Sequence, residues 1–172
     1  ADANPASDLA RLLPQFKRWY SQAGTPHLHA AGVFDAAQRS YTLTFKQSCA
    51  ATPGQAVKEP FVIPIGLGLL TPEGQEIAAS RTFVMTQATE TVTFDNVDAE
   101  PVPSILRAFS APVVLEFDYS DEQLLTLLAF DPDPFNRWEA GQRLALRCAI
   151  KFIAGHADLT GAIVLNDAYI AA

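Results

Sequence analysis

The hydrophobic pattern changes its period along the chain and divides it into a helical, a β and a second helical segment. From His27 to Asp118, apolar and polar residues alternate in short runs such as Tyr41–Lys46, which is typical of half-buried strands. The longest apolar run, Phe61–Leu70, carries no charge and predicts a strand buried on both faces. Within this run, Gly66 and Gly68 remove side chains where another layer could come close.

About seven such runs predict an antiparallel β-sandwich of immunoglobulin-like architecture. Pro64 cannot donate a hydrogen bond to a neighbouring strand, so we expect it at a bulge or at a sheet edge. Two consecutive runs joined by a short polar link, Thr82–Thr86 and Thr91–Phe94, predict a hairpin. The predicted strands are Leu28–Val33, Tyr41–Lys46, Phe61–Leu70, Thr82–Thr86, Thr91–Phe94, Ile105–Phe109 and Val113–Asp118.

Helical spacing flanks the strands on both sides. Ser7–Gln22 predicts a helix capped by Ser7 and kinked or broken at Pro14. Ser120–Gln123 is a capping-box sequence, which predicts a helix that ends near Phe130. The fold class that follows is mainly β with α, a sandwich between an N-terminal helix and a C-terminal, solenoid-like helical segment. The expected domains are 1–24, 25–119 and 120–172.

The C-terminal segment predicts two more helices. Asp133 caps a helix that has Pro134 in its first turn, and Asp158–Ile170 predicts a third. Apolar residues fall on two sides of the second helix, and such a helix needs neighbours on both. We therefore expect this segment to be the start of a helical stack whose exposed apolar patch drives self-association. One side contains Trp138, Ala145, Cys148 and Phe152, and the other contains Leu146, Ile150 and Ile153.

Composition narrows the classes of function. With 49% hydrophobic and 18% charged residues, the 172-residue chain is globular. A net charge of −7 argues against nucleic acid as a partner, and no apolar run is long enough to cross a bilayer. Cys49 and Cys148 are expected to be free thiols in a reducing compartment, with a disulfide as the less favoured alternative. No leader sequence is visible, so a cytoplasmic location is the expectation.

Two groups of residues are candidates for metal binding. His27 and His29 stand two apart on one strand face, and His156 would be a further ligand, but an exposed strand face is favoured over a metal site. Asp131 and Asp133 resemble the start of a calcium loop. The positions where such a loop requires another oxygen ligand, a glycine and a glutamate do not supply them, which favours helix capping.

A basic stripe follows at helical spacing, formed by Arg143, Arg147 and Lys151 with Glu139 one turn earlier. A solvated helix face is the favoured interpretation. The functional alternative is contact with an acidic partner or with another part of a longer chain. The sequence has no nucleophile elbow, phosphate-binding glycine loop or H-E-x-x-H helix. These observations predict a non-catalytic module with no catalytic, metal or cofactor residues.

Five ordered runs resemble bacterial aminopeptidase N, a zinc metallopeptidase family of the gluzincin type. They are Trp19–Pro26, Gln47–Gln55, Lys58–Leu70, Pro101–Glu116 and Asp133–Gln142. The resemblance implies that Ser7–Gln22 closes a catalytic domain, that His27–Asp118 is a small β-sandwich domain and that Ser120 onward begins a helical domain. The zinc ligands of the family lie in an H-E-x-x-H helix and a following Glu, which match no position here. The resemblance therefore places the zinc in the parent enzyme.

The leading hypothesis is a structural segment of an aminopeptidase N-like enzyme, inactive alone, which positions the helical domain over the active-site cleft. Its partners would be the remaining domains of the parent chain, and peptide substrates would bind only to the full-length enzyme. The alternative is a stand-alone β-sandwich module that binds a protein through its sheet edges or the basic stripe. A third possibility is a small metal-dependent enzyme that uses His27, His29 and an acid.

Overall fold

The computed structural model describes residues 9–155 and residue 170. Two short helices come first, Leu9–Phe16 (α1) and Arg18–Ser21 (α2). The predicted start of this helical region at Ser7 lies outside the described residues. Pro14 lies inside α1, and the break between the helices comes at Lys17. The strands are His27–Asp35 (β1), Ser40–Ser48 (β2), Ile63–Leu70 (β3), Glu76–Met85 (β4), Thr89–Asp95 (β5), Val102–Ile105 (β6) and Val114–Glu116 (β7).

The strands form two sheets that pack face to face, as the alternating pattern predicts. One sheet has the order β5-β2-β1-β7 and the other the order β4-β3-β6. Their facing residues form one core that includes Leu28, Leu43, Phe45, Ile65 and Leu67. The sandwich is not wholly antiparallel, because β7 pairs with β1 in parallel. This exception arises because the chain crosses from β6 in the other sheet before it enters β7.

Strand β3 is buried on both faces, as predicted. Its odd-numbered residues, from Ile63 to Leu69, point into the core between the sheets. On the other face, an added Cβ at Gly68 would lie 2.1 Å from the guanidinium carbon of Arg107, so any larger residue there would displace this guanidinium. Pro64 pairs with β4 alone, because β6 covers only the part of β3 from Leu67 onward. The prediction that Pro64 lies at an edge is confirmed.

The hairpin predicted from Thr82–Thr86 and Thr91–Phe94 is wrong. The first run lies in β4 and the second in β5, which belong to different sheets. The short link between them passes from one sheet to the other. Met85 and Phe94 are buried in the same core from these opposite sheets. The local sequence is compatible with a hairpin in one sheet or with a link between two sheets. Burial of Met85 and Phe94 in the shared core favours the link between two sheets.

The strand predicted over Ile105–Phe109 is also wrong beyond its first residue. Strand β6 ends at Ile105, and a 3₁₀ turn follows over Arg107–Phe109. Leu106, Ala108 and Phe109 have positive φ angles of 62°, 57° and 48°, which non-glycine residues rarely adopt. The turn brings Arg107 across the glycine face of β3, where this side chain is only 5% exposed.

Two helices complete the described chain, Asp121–Phe130 (α3) and Pro134–Gly155 (α4). Ser120 and Gln123 form the predicted capping box at the start of α3. The third predicted helix, Asp158–Ile170, lies outside the described residues except for residue 170. None of the described helices is long and apolar enough to cross a membrane. A second cluster packs α3 and α4 on the sandwich, and it contains Leu70, Val102, Tyr119, Leu124, Leu127, Ala140 and Leu144.

The apolar face that α4 buries is neither of the two predicted from the sequence. Its buried apolar residues against α3 and the sheet are Ala140 and Leu144, which belong to neither predicted face. Leu146, Ile150 and Ile153 form an exposed apolar surface, and Trp138 of the other predicted face is 56% exposed.

Candidate functional site

The N-terminal junction joins α1 and α2 to the segment that leads into β3. Trp19 stacks on Phe61 with ring centroids 4.7 Å apart, and its Nε1 donates to the Val62 carbonyl at 2.8 Å. Gln15 donates through Nε2 to the carbonyls of Pro60 and Thr86. The acceptors are main-chain carbonyls. These bonds therefore fix the position of the backbone and do not depend on the side chains of the accepting residues.

Two reciprocal amide contacts extend the N-terminal junction. The Gln22 side chain donates to the Glu59 carbonyl at 2.9 Å and accepts from the Glu59 N–H at 2.7 Å. In the opposite direction, the Gln55 side chain accepts from the Ala23 N–H and donates to the Ser21 carbonyl. Each amide uses its donor and its acceptor together, which limits rotation of the helical segment relative to the loop.

A buried glutamine ties the N-terminal junction to the sandwich. Gln47, at the end of β2, accepts from the Phe61 N–H at 2.7 Å and donates to the Phe61 carbonyl at 3.0 Å. It also donates to the Gln87 carbonyl, just before β5. Because buried polar groups need partners, this side chain stabilises only the backbone path that supplies all three.

The C-terminal junction joins the sandwich to α3 and α4 through an apolar cluster and a buried polar network. Tyr119 belongs to the cluster and donates its hydroxyl to the Pro103 carbonyl at 2.8 Å. Burial raises the pKa of the Tyr119 hydroxyl well above its usual value, so this group stays protonated as a donor. A buried tyrosine therefore contributes both packing area and one directional bond.

Arg107 lies at the centre of the polar network. Its Nε donates to Ser104 Oγ at 2.8 Å, and its Nη1 contacts Glu76 Oε1 at 2.5 Å. Asn136 of α4 donates to the same Ser104 hydroxyl at 2.8 Å and to the Ile105 carbonyl at 3.1 Å. The network therefore connects both edge strands of one sheet directly to a helix.

Asp131 and Asp133 cap helices, as the sequence analysis favours. Asp133 Oδ1 accepts from the Asn136 N–H in the first turn of α4, and its Oδ2 accepts from the Ala108 N–H at 2.7 Å. Asp131 Oδ1 accepts from the Asp133 N–H and lies 3.6 Å from Arg107 Nη2. Burial is the main cause that raises the pKa of the Asp131 carboxyl.

The basic stripe Arg143, Arg147 and Lys151 faces other parts of the same chain. Arg143 donates to Glu139 at 2.9 Å and to the Leu115 carbonyl at 3.2 Å. Arg147 and Lys151 each bond one oxygen of Asp121 at 2.8 Å. These two bonds lower the pKa of the Asp121 carboxyl. Lys151 is 70% exposed, and contact of the stripe with a partner or another domain stays a prediction.

The two strand histidines are held by one carboxylate. His27 Nδ1 lies 2.5 Å from Glu116 Oε1, and His29 Nδ1 lies 2.9 Å from Glu116 Oε2. The hydrogen bond with His27 is the main cause that lowers the pKa of Glu116. Over residues 9–155 and 170, no group of three His, Cys, Asp or Glu side chains is arranged to hold a metal ion. His156 lies outside the described residues.

Sequence reasoning misses several of the residues that form the junctions. Gln22, Gln47, Gln55, Arg107 and Asn136 carry no motif of their own, and only the contacts reveal their role. All five fall inside the runs that carry the family resemblance, and this was the available signal. Cys49 and Cys148 are free thiols, as predicted, and both are partly buried.

Two family models match successive parts of the chain. Residues 24–118 match a domain of unknown function, DUF3458, described as an Ig-like fold. Residues 121–172 match its companion domain, DUF3458_C, described as ARM repeats.

Known relatives share the same segment. Aminopeptidase N of Escherichia coli K12 is 42% identical over 139 residues, which are 77% of this chain and 16% of the relative. Aminopeptidase N of Caulobacter vibrioides is 41% identical over 172 residues, 95% of this chain and 20% of the relative.

A solved structure shows the same fold. The crystal structure of Legionella pneumophila aminopeptidase A in complex with aspartic acid superposes with a TM-score of 0.76 at 31% identity. The match covers 92% of this chain and 17% of that one. The chain thus spans about a fifth or less of the length of these relatives. It belongs to the DUF3458 family, in the segment that it shares with bacterial aminopeptidase N.

Proposed function

We propose that this chain is the structural joint of an aminopeptidase N-like enzyme. In this role the sandwich fixes the angle between a catalytic domain, which α1 and α2 would close, and a helical domain that begins with α3. The helical domain would then cover the active-site cleft and limit access to peptides. The three-domain division and the cytoplasmic location are parts of the same proposal.

One observation carries the proposal. The runs that resemble aminopeptidase N supply many of the contacts at both junctions, including Trp19, Gln55 and Phe61 at one and Arg107 and Asn136 at the other. If this segment of the enzyme were catalytic, the residues that it shares with the family would be expected around a catalytic site. Here they hold helices against a sandwich, which supports an architectural role.

Peptide hydrolysis would belong to the parent enzyme. The described residues contain no fitting set of ligands for the zinc that the family implies. We therefore assign no catalytic step to this chain. The chain on its own, supplied with zinc, is expected to release no amino acid from aminoacyl chromogenic substrates, and release at a rate typical of an aminopeptidase would refute the proposal.

An exchange of segments tests the architectural role. E. coli aminopeptidase N, with its matching segment replaced by this chain, is expected to release N-terminal amino acids. Trp19→Ala in the chimera is expected to lower kcat/KM while the zinc content stays unchanged, because the joint loosens and the metal site does not. Tyr20→Ala, at an 84% exposed position on the same helix, is the control. A zinc-loaded chimera whose kcat/KM is indifferent to Trp19→Ala would contradict the proposal.

Self-association of the isolated chain is a related prediction. Leu146, Ile150 and Ile153 form an exposed apolar surface on α4, which favours contact between copies. We expect the sedimentation coefficient to rise with protein concentration, and Ile150→Glu to reduce that rise. Gln142→Glu, at an exposed polar position on the same helix, is the control. A clean monomer at high concentration would count against the prediction.

A further inference from the structure

The network around Arg107 contains two buried atoms whose hydrogen bonding is incomplete. Neither Arg107 Nη2 nor Asp131 Oδ2 has a hydrogen-bond partner among the described protein atoms, although the Ser104 hydroxyl also bonds the Asp131 carboxyl. Arg107 is 5% exposed and Asp131 is 2% exposed. A buried polar atom without a partner destabilises a fold, so native proteins rarely leave two close together.

The surrounding backbone is shaped to hold Arg107 at this place. Leu106 and Ala108, on either side of it, both adopt left-handed conformations. Gly68 leaves the space that the guanidinium occupies, and an added Cβ at Gly66 would lie 2.7 Å from the Arg107 carbonyl oxygen. Backbone strain of this kind persists where the surroundings enforce it, and it is frequent at functional positions.

We propose that one buried water molecule bridges Arg107 Nη2 and Asp131 Oδ2, and that this hydrated pair fixes the angle of α3 and α4 on the sandwich. The donor and the acceptor are complementary, and one water can accept from the first and donate to the second. Asp131 ends α3, while Asp133 and Asn136 tie the start of α4 to the same turn. The inference deepens the proposed function, because it names what sets the angle of the joint.

A buried charge network is suited to this role. Apolar clusters stabilise contact but tolerate rearrangement, whereas a buried polar group is satisfied in few geometries. Replacing a buried ion pair by well-packed apolar groups of similar volume often leaves stability intact. Loss of the Arg107–Asp131 pair is therefore expected to affect the orientation of the helices more than the fold.

A crystal structure of the chain at high resolution tests the water directly. We expect density for one water within hydrogen-bond distance of both Arg107 Nη2 and Asp131 Oδ2. A direct bond between these two atoms, or a side chain in the intervening space, would overturn the assignment.

Orientation is tested in solution with amide residual dipolar couplings. Wild-type couplings of the sandwich and of α4 should fit one alignment tensor, whereas the Arg107→Met, Asp131→Asn double variant should need two. The matched control is Arg39→Met with Asp98→Asn, an exposed pair on the sandwich. If the double variant does not fold, Asp131→Asn alone is measured. A single unchanged tensor in the folded variant would overturn the inference, while the chimera assay tests the proposed function separately.

Discussion

The two junctions hold helices against the same sandwich by different physical means. At the N-terminal junction, indole and amide side chains bond main-chain carbonyls of Val62, Pro60 and Glu59. The C-terminal junction combines an apolar cluster with a buried arginine and a buried aspartate. The first therefore depends mainly on directional bonds to main-chain groups, including bonds from Arg18 and Lys58, and the second on buried area and buried charge.

This difference teaches what each junction can tolerate. Neutral amides do not titrate, so the N-terminal contacts through Gln15, Gln22 and Gln55 should be insensitive to pH. The C-terminal junction contains Arg107 and Asp131, and α3 begins at the charged cluster around Asp121. We expect changes of buried charge to act mainly on the C-terminal side, and loss of directional bonds to act mainly on the N-terminal side.

Gly68→Ala is expected to have the largest effect. Its Cβ would lie 2.1 Å from the Arg107 guanidinium carbon, so this buried group would have to leave its partners Ser104 and Glu76. We expect a loss of about 3 kcal/mol in the free energy of unfolding, measured by urea denaturation. Gly54→Ala is the control, because a positive φ but no nearby atom should cost only about 1 kcal/mol. Equal losses of unfolding free energy in the two variants would show that the close approach of Arg107 to Gly68 does not determine the effect.

Trp19→Ala should have the next largest effect. It removes the packing on Phe61 and the bond to the Val62 carbonyl, for an expected loss of about 2 kcal/mol at this partly buried position. Hydrogen exchange should speed up in α1 and α2 and stay slow in α3. The control, Tyr20→Ala, should change stability by less than about 0.5 kcal/mol. Faster exchange throughout α3 would mean that the two junctions are not independent.

Ser120→Ala tests the entry to α3 with a smaller expected effect. The Ser120 hydroxyl accepts from the Gln123 N–H at 3.1 Å, and the Gln123 side chain accepts from the Ser120 N–H at 3.0 Å. Loss of this cap should destabilise the fold by about 1 kcal/mol in thermal or urea unfolding. Ser80→Ala, at an exposed position of β4, is the control. If Ser120→Ala lowers the free energy of unfolding no more than the control does, the cap contributes nothing measurable and α3 is stabilised by packing alone.

The smallest effect concerns pH. Bonds from Lys151 and Arg147 lower the pKa of Asp121, so its contribution to stability is present at neutral pH and is lost as pH falls below about 4. Asp121→Asn should therefore reduce the fall in melting temperature between about pH 5 and pH 3. At neutral pH the ion pairs of Asp121 are expected to contribute about 0.5 kcal/mol to the free energy of unfolding, as is typical of exposed ion pairs. Asp95→Asn on β5 is the control, and an identical pH profile for both variants would contradict the prediction.

Asp131 should respond to pH with the opposite sign. Because burial raises the pKa of its carboxyl, ionisation opposes folding, and stability attributed to Asp131 falls as pH rises through its titration range. A melting curve that compares wild type with Asp131→Asn at several pH values separates this contribution from that of Asp121.

The sequence predicts the layers of this fold better than its connections. Alternation locates the strands, and the capping box at Ser120 locates α3, because these signals depend on neighbouring residues. The hairpin over Thr82–Phe94 and the strand over Ile105–Phe109 are wrong because a shared core and the glycine face of β3 decide those paths. Local sequence carries no record of such distant contacts.

The candidate site was less accessible to sequence reasoning than the fold. Nothing in the local sequence marks Arg107 as buried. Its burial depends on Gly68 and Asp131, which lie far from it in the sequence. Nothing in the local sequence marks Gln47 as buried either, although its amide is buried against the Phe61 main chain. The family resemblance marked the right runs, but it did not say which of their residues touch.

Strand β3 begins beside the N-terminal junction and ends at Leu70, in the apolar cluster of the C-terminal junction. Its eight residues span roughly 25 Å and separate the two junctions by a fixed length. Insertion or deletion of a single residue in β3 would exchange its two faces, turning Ile65 and Leu67 away from the core. Natural variation in length should therefore be absent from this strand.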